Sequence, residues 1–206
     1  MTEVKLTKNE LRLQQSRLLQ LQKYLPTLQL KKAMLQAEVT EASIEIVKCE
    51  EEFSRIRTQV DNYGELLTDH LPFDIRDSAK IVKVHRRYEN IAGVEVPYFE
   101  GIVFAEFSYN LFDTPAWVDA VTAGLRTLAT AQVKIKIAEQ KKLALEKEWR
   151  EVSIRVNLFE KILIPRAIRN IKKIKVFLGD QQLAAVSQAK VAKAKIERRK
   201  KSLLVG

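Results

Sequence analysis

A heptad repeat of apolar residues occupies the first third of the chain. Alternate steps of three and four residues from Leu18 reach fifteen positions, of which only Lys32 is charged. These positions, the first seam, are Leu18, Leu21, Leu25, Leu28, Lys32, Leu35, Val39, Ala42, Ile46, Cys49, Phe53, Ile56, Val60, Tyr63 and Leu67. A strict repeat of 3.5 residues keeps one face of a helix against a partner and imposes a left-handed supercoil. The first seam therefore predicts a long helix that pairs with another helix.

A second seam with the same spacing lies in the C-terminal half. It comprises Trp117, Val121, Gly124, Leu128, Ala131, Ile135, Ala138, Lys142, Leu145, Trp149, Val152, Val156, Phe159 and Leu163, of which only Gly124 and Lys142 are not apolar. A weaker repeat continues through Ile164, Ile168, Ile171, Leu178, Ala185, Ala189, Ala192, Ile196 and Leu203. Two such seams predict two long helices folded back as an antiparallel coiled coil. The alternative is a bundle whose loops break each seam into shorter helices.

The segment between the seams has the period of β-structure. Residues 81–88 alternate and are rich in β-branched side chains, residues 90–93 have turn chemistry, and residues 94–99 resume the alternation. Pro97 restricts that second strand to an edge or an end, and Asp113-Thr114-Pro115 is typical of a helix start. We therefore expect a mainly α fold, a long antiparallel two-helix coiled coil with a short β-hairpin head. Its parts are an N-terminal helix (1–69), a hairpin segment (70–115) and a C-terminal helix (116–206).

Two prolines lie inside the expected helices. Proline in a helix removes a hydrogen bond and clashes with the carbonyl four residues back. Because the seam continues in phase on both sides of Pro26, we expect a kink there, and another at Pro165. In an antiparallel hairpin these two kinks would lie at a similar height.

Charge is unevenly distributed in this chain of net charge +10. Residues 38–69 carry nine acids and three bases, whereas residues 116–147, which would lie opposite, carry six bases and three acids. At the other end, residues 1–32 and 153–201 are both strongly basic. Like charges on adjacent helices repel, so we expect acidic or polar surface from a partner there, or a nucleic-acid or membrane contact.

No pattern of a catalytic, cofactor or metal site is found in the sequence. It lacks a phosphate-binding loop, and His70 and His85 have no cysteine near them. The single cysteine, Cys49, lies on the first seam and indicates a buried, inert thiol in a reducing compartment. With no signal-peptide core and no stretch of twenty apolar residues, the sequence predicts a cytoplasmic protein that is not an enzyme on its own.

Three segments carry a family likeness. The first is Thr7-Lys8-Asn9-Glu10-Leu11 with Arg17-Leu18 and Lys31-Lys32, the second is Asn90-Ile91-Ala92-Gly93-Val94-Glu95-Val96-Pro97, and the third is Arg155-Val156-Asn157-Leu158-Phe159-Glu160 with Ile164-Pro165. In this order and spacing they resemble the D subunit of the V-type and A-type rotary ATPases, the central rotor shaft. The chain departs from the family at Leu25-Pro26, where a glycine is usual, and at residues 178–185, where the family has a stretch rich in Glu and Arg. Contacts of residues 178–190 therefore do not carry over.

The resemblance implies a non-catalytic shaft without cofactor, which couples ATP hydrolysis or synthesis in a catalytic hexamer to proton or sodium transport through a membrane ring. The implied partners are the catalytic and nucleotide-binding (A-type and B-type) subunits of the hexamer, a small F-type stalk subunit and a funnel-shaped subunit that joins the shaft to the ring. The shaft of such a membrane-bound complex is cytoplasmic and peripheral to the membrane, and it neither enters the membrane nor binds nucleic acid.

The resemblance also suggests which residues contact these partners. Candidates for contact with the hexamer are Lys8, Leu11, Arg17, Lys31, Lys32, Arg155, Asn157, Glu160, Pro165, Arg166, Arg169, Lys172 and Lys173. Candidates for contact between the hairpin and a stalk partner are Asn90, Gly93, Val94, Val96 and Pro97.

Two other functions fit parts of the sequence. A coiled-coil scaffold would explain the seams but not the hairpin segment between them. A nucleic-acid binder would explain the basic run Lys190, Lys193, Lys195, Arg198, Arg199, Lys200 and Lys201. That run contains no aromatic residue, so it could bind phosphate but could not stack on bases.

Overall fold

The computed structural model describes residues 4–62, 74–109, 114–115 and 117–203, without the side chains of residues 199–203. In chain order the elements are α1 (Lys8–Asp61), a short 3-10 helix (Ile75–Ala79), β1 (Ile81–Ile91), β2 (Val94–Phe104), α2 (Trp117–Leu158), a π-helical turn (Phe159–Leu163) and α3 (Ile164–Leu203). This confirms a mainly α fold with a small hairpin. None of the helices in the described part is long and apolar enough to cross a membrane.

The chain forms two compact units. One contains Leu30–Val152, and the other contains Met1–Gln29 together with Ser153–Gly206. Both α1 and α2 contribute residues to each unit. Tyr63, Leu67, His70 and Asp113 lie outside the described residues, so the expected helix end near residue 69 and the division at residue 115 stay predictions.

Helix α1 is a single helix of 54 residues. At its start the hydroxyl of Thr7 accepts a hydrogen bond of 3.3 Å from the backbone N–H of Glu10, which satisfies one of the free donors of a helix N-terminus. The helix runs through Pro26 without a break in secondary structure. No loop therefore divides the described part of the first seam, from Leu18 to Val60, and the bundle alternative is wrong for α1. The kink at Pro26 stays a prediction.

Within the Leu30–Val152 unit, the described positions of the two seams are buried or half-buried. Its most completely buried apolar residues on these helices include Leu35 and Ala42 of α1 and Val121 and Leu145 of α2. Gly124, an exception in the second seam, has a packing reason. A Cβ atom there would lie 3.1 Å from a methyl carbon of Val60, so glycine allows the helices to approach closely.

The strands form the predicted antiparallel hairpin. Ile91 pairs with Val94, so the loop contains only Ala92 and Gly93, whose φ angles are 50° and 85°. Two positive φ values are the requirement of a type I′ turn, the turn that matches the twist of paired strands. The Asn90 side chain accepts a hydrogen bond of 2.9 Å from the Gly93 N–H and closes the turn.

Each strand also contains one bulged residue. Ile81 pairs with Phe104 but Lys83 pairs with Val103, which leaves Val82 as an extra residue in β1. His85 pairs with Gly101 and Arg86 with Phe99, which leaves Glu100 extra in β2. A bulge changes which face the following side chains occupy.

A small apolar cluster stabilises the start of α2. Ile75, Val118 and Val121 are buried together, with Tyr109 and Trp117 packed against them. The Val118 N–H donates to the Pro115 carbonyl at 3.1 Å. The described part of α2 begins at Trp117, and Ala116, where we expected the helix to start, lies outside the described residues.

The unit formed by Met1–Gln29 and Ser153–Gly206 corrects the expected course of the second seam. After Leu163 the buried positions are Ala167 and Ile174, whereas Ile168, which we expected on the seam, is 48% exposed. The strict repeat would next reach Arg166, which is exposed, and the extra residue that a π-helical turn holds moves the next buried position to Ala167. In it the Ile164 N–H donates to the Phe159 carbonyl, directly before Pro165. Helices bend at such turns, and the bend at Pro165 stays a prediction.

Candidate functional site: protein-interaction surfaces

Ion pairs join α1 to α2 within the Leu30–Val152 unit. The pairs are Lys31–Glu148 at 2.7 Å, Glu45–Lys141 at 2.9 Å and Glu52–Lys134 at 3.6 Å. Residue numbers rise along α1 as they fall along α2, so the two helices are antiparallel in this unit. The last two pairs confirm that the acidic stretch of the first helix lies against the basic stretch of the second.

Lys141 is the most buried charged residue in the described part of this unit, with 7% of its surface exposed. Its Nζ atom donates to Glu45 at 2.9 Å and lies 4.3 Å from the centre of the Tyr98 ring. Burial alone would lower the pKa of Lys141, but the hydrogen bonds to Glu45 and Tyr98 outweigh burial and raise that pKa. Lys141 therefore keeps its charge and links α1, α2 and β2 at one point.

A row of cation–π contacts fastens β2 to α2. Each contact places a cation of α2 over an aromatic ring: Arg126 over Phe104 at 5.5 Å, Lys134 over Phe99 at 5.9 Å and Lys141 over Tyr98 at 4.3 Å. The cations recur about every two turns of α2, and the rings follow in reverse order along β2. Each contact of this kind stabilises a structure by about 0.5–2 kcal/mol.

Further contacts hold the base and the middle of the hairpin. Near the base, Arg126 donates to the Ser78 carbonyl at 2.9 Å. Halfway along, Arg86 of β1 donates to Gln140 at 2.9 Å. The turn passes near Lys31, since a Cβ atom added at Gly93 would lie 3.7 Å from Lys31 Nζ. The base and the middle of the hairpin are therefore fixed to the paired helices.

Cys49 lies beside a cavity of about 220 Å³ under β2, together with Glu45, Pro97 and Lys141. Burial raises the pKa of the Cys49 thiol, and the nearby carboxylates of Glu45 and Glu52 raise it further, against a smaller opposite effect of Lys134. The thiolate is the reactive form of cysteine, so the raised pKa disfavours reactivity here. We expected a buried Cys49, but the residue is only half-buried.

The hairpin candidates divide into two groups. Asn90 and Gly93 at the turn are exposed, and Val94 is half-buried. Val96 and Pro97 are buried by the chain's own residues. This corrects the expectation that all five are available to a partner, because β2 is the strand that packs on the helices.

Most of the hexamer-contact candidates are exposed. The exposed ones are Lys8, Arg17, Arg155, Asn157, Glu160, Arg166, Arg169, Lys172 and Lys173. Leu11, Lys32 and Pro165 are half-buried. Lys31 lies in the other unit, where it pairs with Glu148, so its charge is already matched within the chain.

A basic groove lies in the unit of Met1–Gln29 and Ser153–Gly206. It is an open cavity of about 460 Å³ whose charged lining residues are Lys5, Glu10, Arg17 and Arg166. Glu10 accepts a hydrogen bond of 2.8 Å from the buried Gln14. Farther along α3, every side chain from Asp180 to Arg198 is exposed. The cations of this unit thus face outward.

The residues that fasten the hairpin were missed by sequence reasoning. None of Arg126, Lys134, Lys141, Tyr98 and Phe104 was among the candidates. One signal was available, since the three cations are spaced eight and seven residues apart and so recur on one face of a heptad helix. Their aromatic partners could not be paired with them from sequence, because the pairing depends on the Glu100 bulge and the docking of β2.

Comparison with known proteins agrees with these features. The family model for the D subunit of ATP synthase matches residues 10–194. Proteins named as the D subunit of a V-type ATP synthase are similar over nearly their whole length: that of Chlamydia abortus is 48% identical over 97% of this chain and 96% of its own. Those of Chlamydia pneumoniae and Chlamydia trachomatis serovar L2 are 43% and 40% identical, over 96% and 97% of this chain and 95% and 98% of their own. The chain therefore belongs to the family of ATP synthase D subunits.

Proposed function

We propose that this chain is the central-stalk, rotor-shaft subunit of a V-type ATP synthase. In this role it binds no substrate and performs no chemistry itself. It couples ATP hydrolysis or synthesis in a catalytic hexamer to proton or sodium transport through a membrane ring. The observation that carries the proposal is the antiparallel helix pair with its fixed lateral hairpin, in a chain that matches named V-type ATP synthase D subunits from end to end.

The mechanism is mechanical. A rotating shaft with different side chains on different faces presents each catalytic site with a different surface in turn. Each site shifts between conformations according to its differential contact with that surface. The hairpin makes one side of the helix pair unlike the others, and the ion pairs of Glu45 and Glu52 with α2 resist sliding between the helices.

The outward cations of the Met1–Gln29 and Ser153–Gly206 unit support insertion of that unit into the hexamer. Arg17 and Arg166 line its basic groove, and the C-terminal part of α3 has no cover from the rest of the described chain. Acidic or polar side chains of the surrounding A-type and B-type subunits would bind these cations. The exposed candidates named above, from Lys8 to Lys173, are the residues expected at that contact.

A surface on α1 supports contact with the small F-type stalk subunit. Leu30, Met34 and Ile44 are each more than half exposed, and their spacing places them on the side of α1 away from the first seam. An apolar stripe on a paired helix suits the apolar face of a third helix. A funnel-shaped subunit would connect the shaft to the ring, so this chain would lie peripheral to the membrane as part of a membrane-bound complex.

Co-expression with the A-type, B-type and small stalk subunits, followed by purification, tests the proposal. We expect one copy of this chain per hexamer and faster ATP turnover than in the hexamer alone. A chain that stays outside the complex and associates only with itself would favour the scaffold function instead. Binding to DNA that weakens with rising salt, without joining the hexamer, would favour the nucleic-acid binder.

A further inference from the structure

The two strands of the hairpin have unequal surroundings. β2 lies against the helices, with Val96 and Pro97 buried and its rings beneath the cations of α2. β1 is the outer strand, and most of its side chains are exposed, including Val82 at 68% and Tyr88 at 62%. In the described part of the chain the sheet has two strands, so one edge of β1 has no strand beside it.

We propose that this free edge of β1 accepts an extended, acidic β-strand from a neighbouring subunit of the complex. The incoming strand extends the sheet from two strands to three. The paired edge is then part of the contact between the hairpin and the stalk partner. This inference rests on the proposed function, since it takes the neighbour from the same complex.

Of the common protections of edge strands, β1 has charge but neither short length nor proline. Natural sheets guard free edges with short strands, proline, bulges or charge, because unpaired N–H and C=O groups recruit other strands. β1 is eleven residues long, contains no proline and is bulged only at Val82, close to its start. Proline occurs instead in β2, at the buried Pro97. The backbone groups of β1 from Lys83 to Ile91 are thus suited to pairing.

The charge on β1 indicates the chemistry of the incoming strand. Lys83, Arg86 and Arg87 are exposed cations, against a single acid in the strand, Glu89, which pairs with Arg87. Cross-strand neighbours of opposite charge stabilise a sheet and like charges destabilise it. An acidic strand therefore fits this edge. A second copy of the chain, which would place cations against cations, does not.

The fixed position of the hairpin lowers the cost of strand addition. A partner that binds a flexible segment loses affinity because the segment must lose conformational entropy, whereas a preorganised surface has already lost it. Contacts of Lys141, Lys134 and Arg126 with β2, and of Arg86 with Gln140, order the hairpin before any partner arrives.

Amide hydrogen exchange, resolved to single residues, tests the proposal in the purified complex of this chain with the hexamer and stalk subunits. In the free chain, alternate β1 amides are protected by β2, and the amides between them exchange quickly. On assembly we expect the fast set to slow by about tenfold or more. The set already bonded to β2 should change little, so that protection becomes continuous along β1.

The double substitution Lys83→Glu with His85→Glu, which reverses the charge of Lys83 and adds an acid at residue 85, should abolish the new protection while leaving one copy of the chain per hexamer. Its matched control is Lys136→Glu with Lys147→Glu, which reverses two exposed lysines of α2 in the same unit and should keep the protection. Unchanged exchange of the β2-facing amides in both variants reports an intact hairpin.

The outcomes separate the two proposals. A chain that joins the complex stoichiometrically while its fast β1 amides stay fast overturns strand addition and leaves the shaft function intact. If the fast β1 amides become protected in the free chain as its concentration rises, the occupant of the edge is a second copy of the chain. That result also overturns the proposed strand addition. A chain that never joins the complex overturns the proposed function, and strand addition with it.

Discussion

At the scale of single residues, Lys141 concentrates the contacts that hold the hairpin to the helices. Lys141→Met removes the ammonium group and leaves Glu45 without its 2.9 Å partner. We expect a loss of about 1–2 kcal/mol in the free energy of unfolding, measured by denaturant titration. Lys147→Met, at an exposed position on the same helix, is the control and should change stability little. Equal stability of the two variants would show that the Lys141 contacts are not stabilising.

The same residue predicts a pH dependence. The folded-state pKa of Lys141 is raised above its ordinary value of 10.5, so its charged form is favoured by folding. Its contribution is complete below the unfolded-state pKa and is lost as the pH rises through the folded-state pKa. The stability advantage of the native chain over Lys141→Met should therefore be constant near neutral pH and shrink above pH 10.5. An advantage that grows with alkalinity would contradict this assignment.

Ala92 in the hairpin turn is the described non-glycine residue with positive φ, at 50°. A left-handed conformation costs alanine roughly 1 kcal/mol, whereas asparagine tolerates it and Asn-Gly is the preferred type I′ pair. Ala92→Asn should therefore raise the thermal unfolding temperature, measured by circular dichroism. Ala92→Val should lower it, because a β-branched residue is disfavoured at positive φ. The opposite order would contradict the turn geometry.

At the scale of elements, two helical glycines should respond differently to substitution. Gly124→Leu would drive a side chain into Val60, 3.1 Å from the first added carbon. We expect destabilisation by about 1–3 kcal/mol through overpacking. Gly179→Ala meets no atom within 4 Å and should stabilise α3 by roughly 0.5–1 kcal/mol. Both are measured by unfolding in denaturant, and a stabilising Gly124→Leu would show that the helices do not approach closely there.

Sequence reasoning was most successful for long elements with a strict period. Every first-seam position from Leu18 to Val60 is at least half-buried, because a heptad repeat leaves one face of a helix to a partner. The Ala92-Gly93 loop followed from its turn residues. Two features were not predictable. The shift of the buried face from the heptad position Arg166 to Ala167 depends on a π-helical turn, and the burial of Val96 and Pro97 depends on where β2 docks. Both are set by tertiary packing.

At the scale of the whole molecule, the proposed shaft depends on a helix pair that transmits torque. Phe53→Asp places a carboxylate on the first seam and removes apolar burial that contributes about 1.5–3 kcal/mol. We expect the assembled complex to keep ATP hydrolysis while ion transport per ATP falls, measured in reconstituted vesicles. Ser54→Asp adds the same charge at the exposed neighbouring position and should leave coupling unchanged. Normal ion transport per ATP in the Phe53→Asp complex would contradict the claim that the first seam is needed to transmit torque.

Rotation of this chain inside a fixed hexamer tests the central claim most directly. A gold particle can be attached through Glu139→Cys, at an exposed position of α2, in a chain whose own cysteine is replaced by Cys49→Ser. With the hexamer bound to glass, we predict that ATP drives rotation of the particle in one direction, with pauses that repeat for each catalytic site. A particle that shows only random motion while the same hexamers hydrolyse ATP would contradict the proposed rotor function.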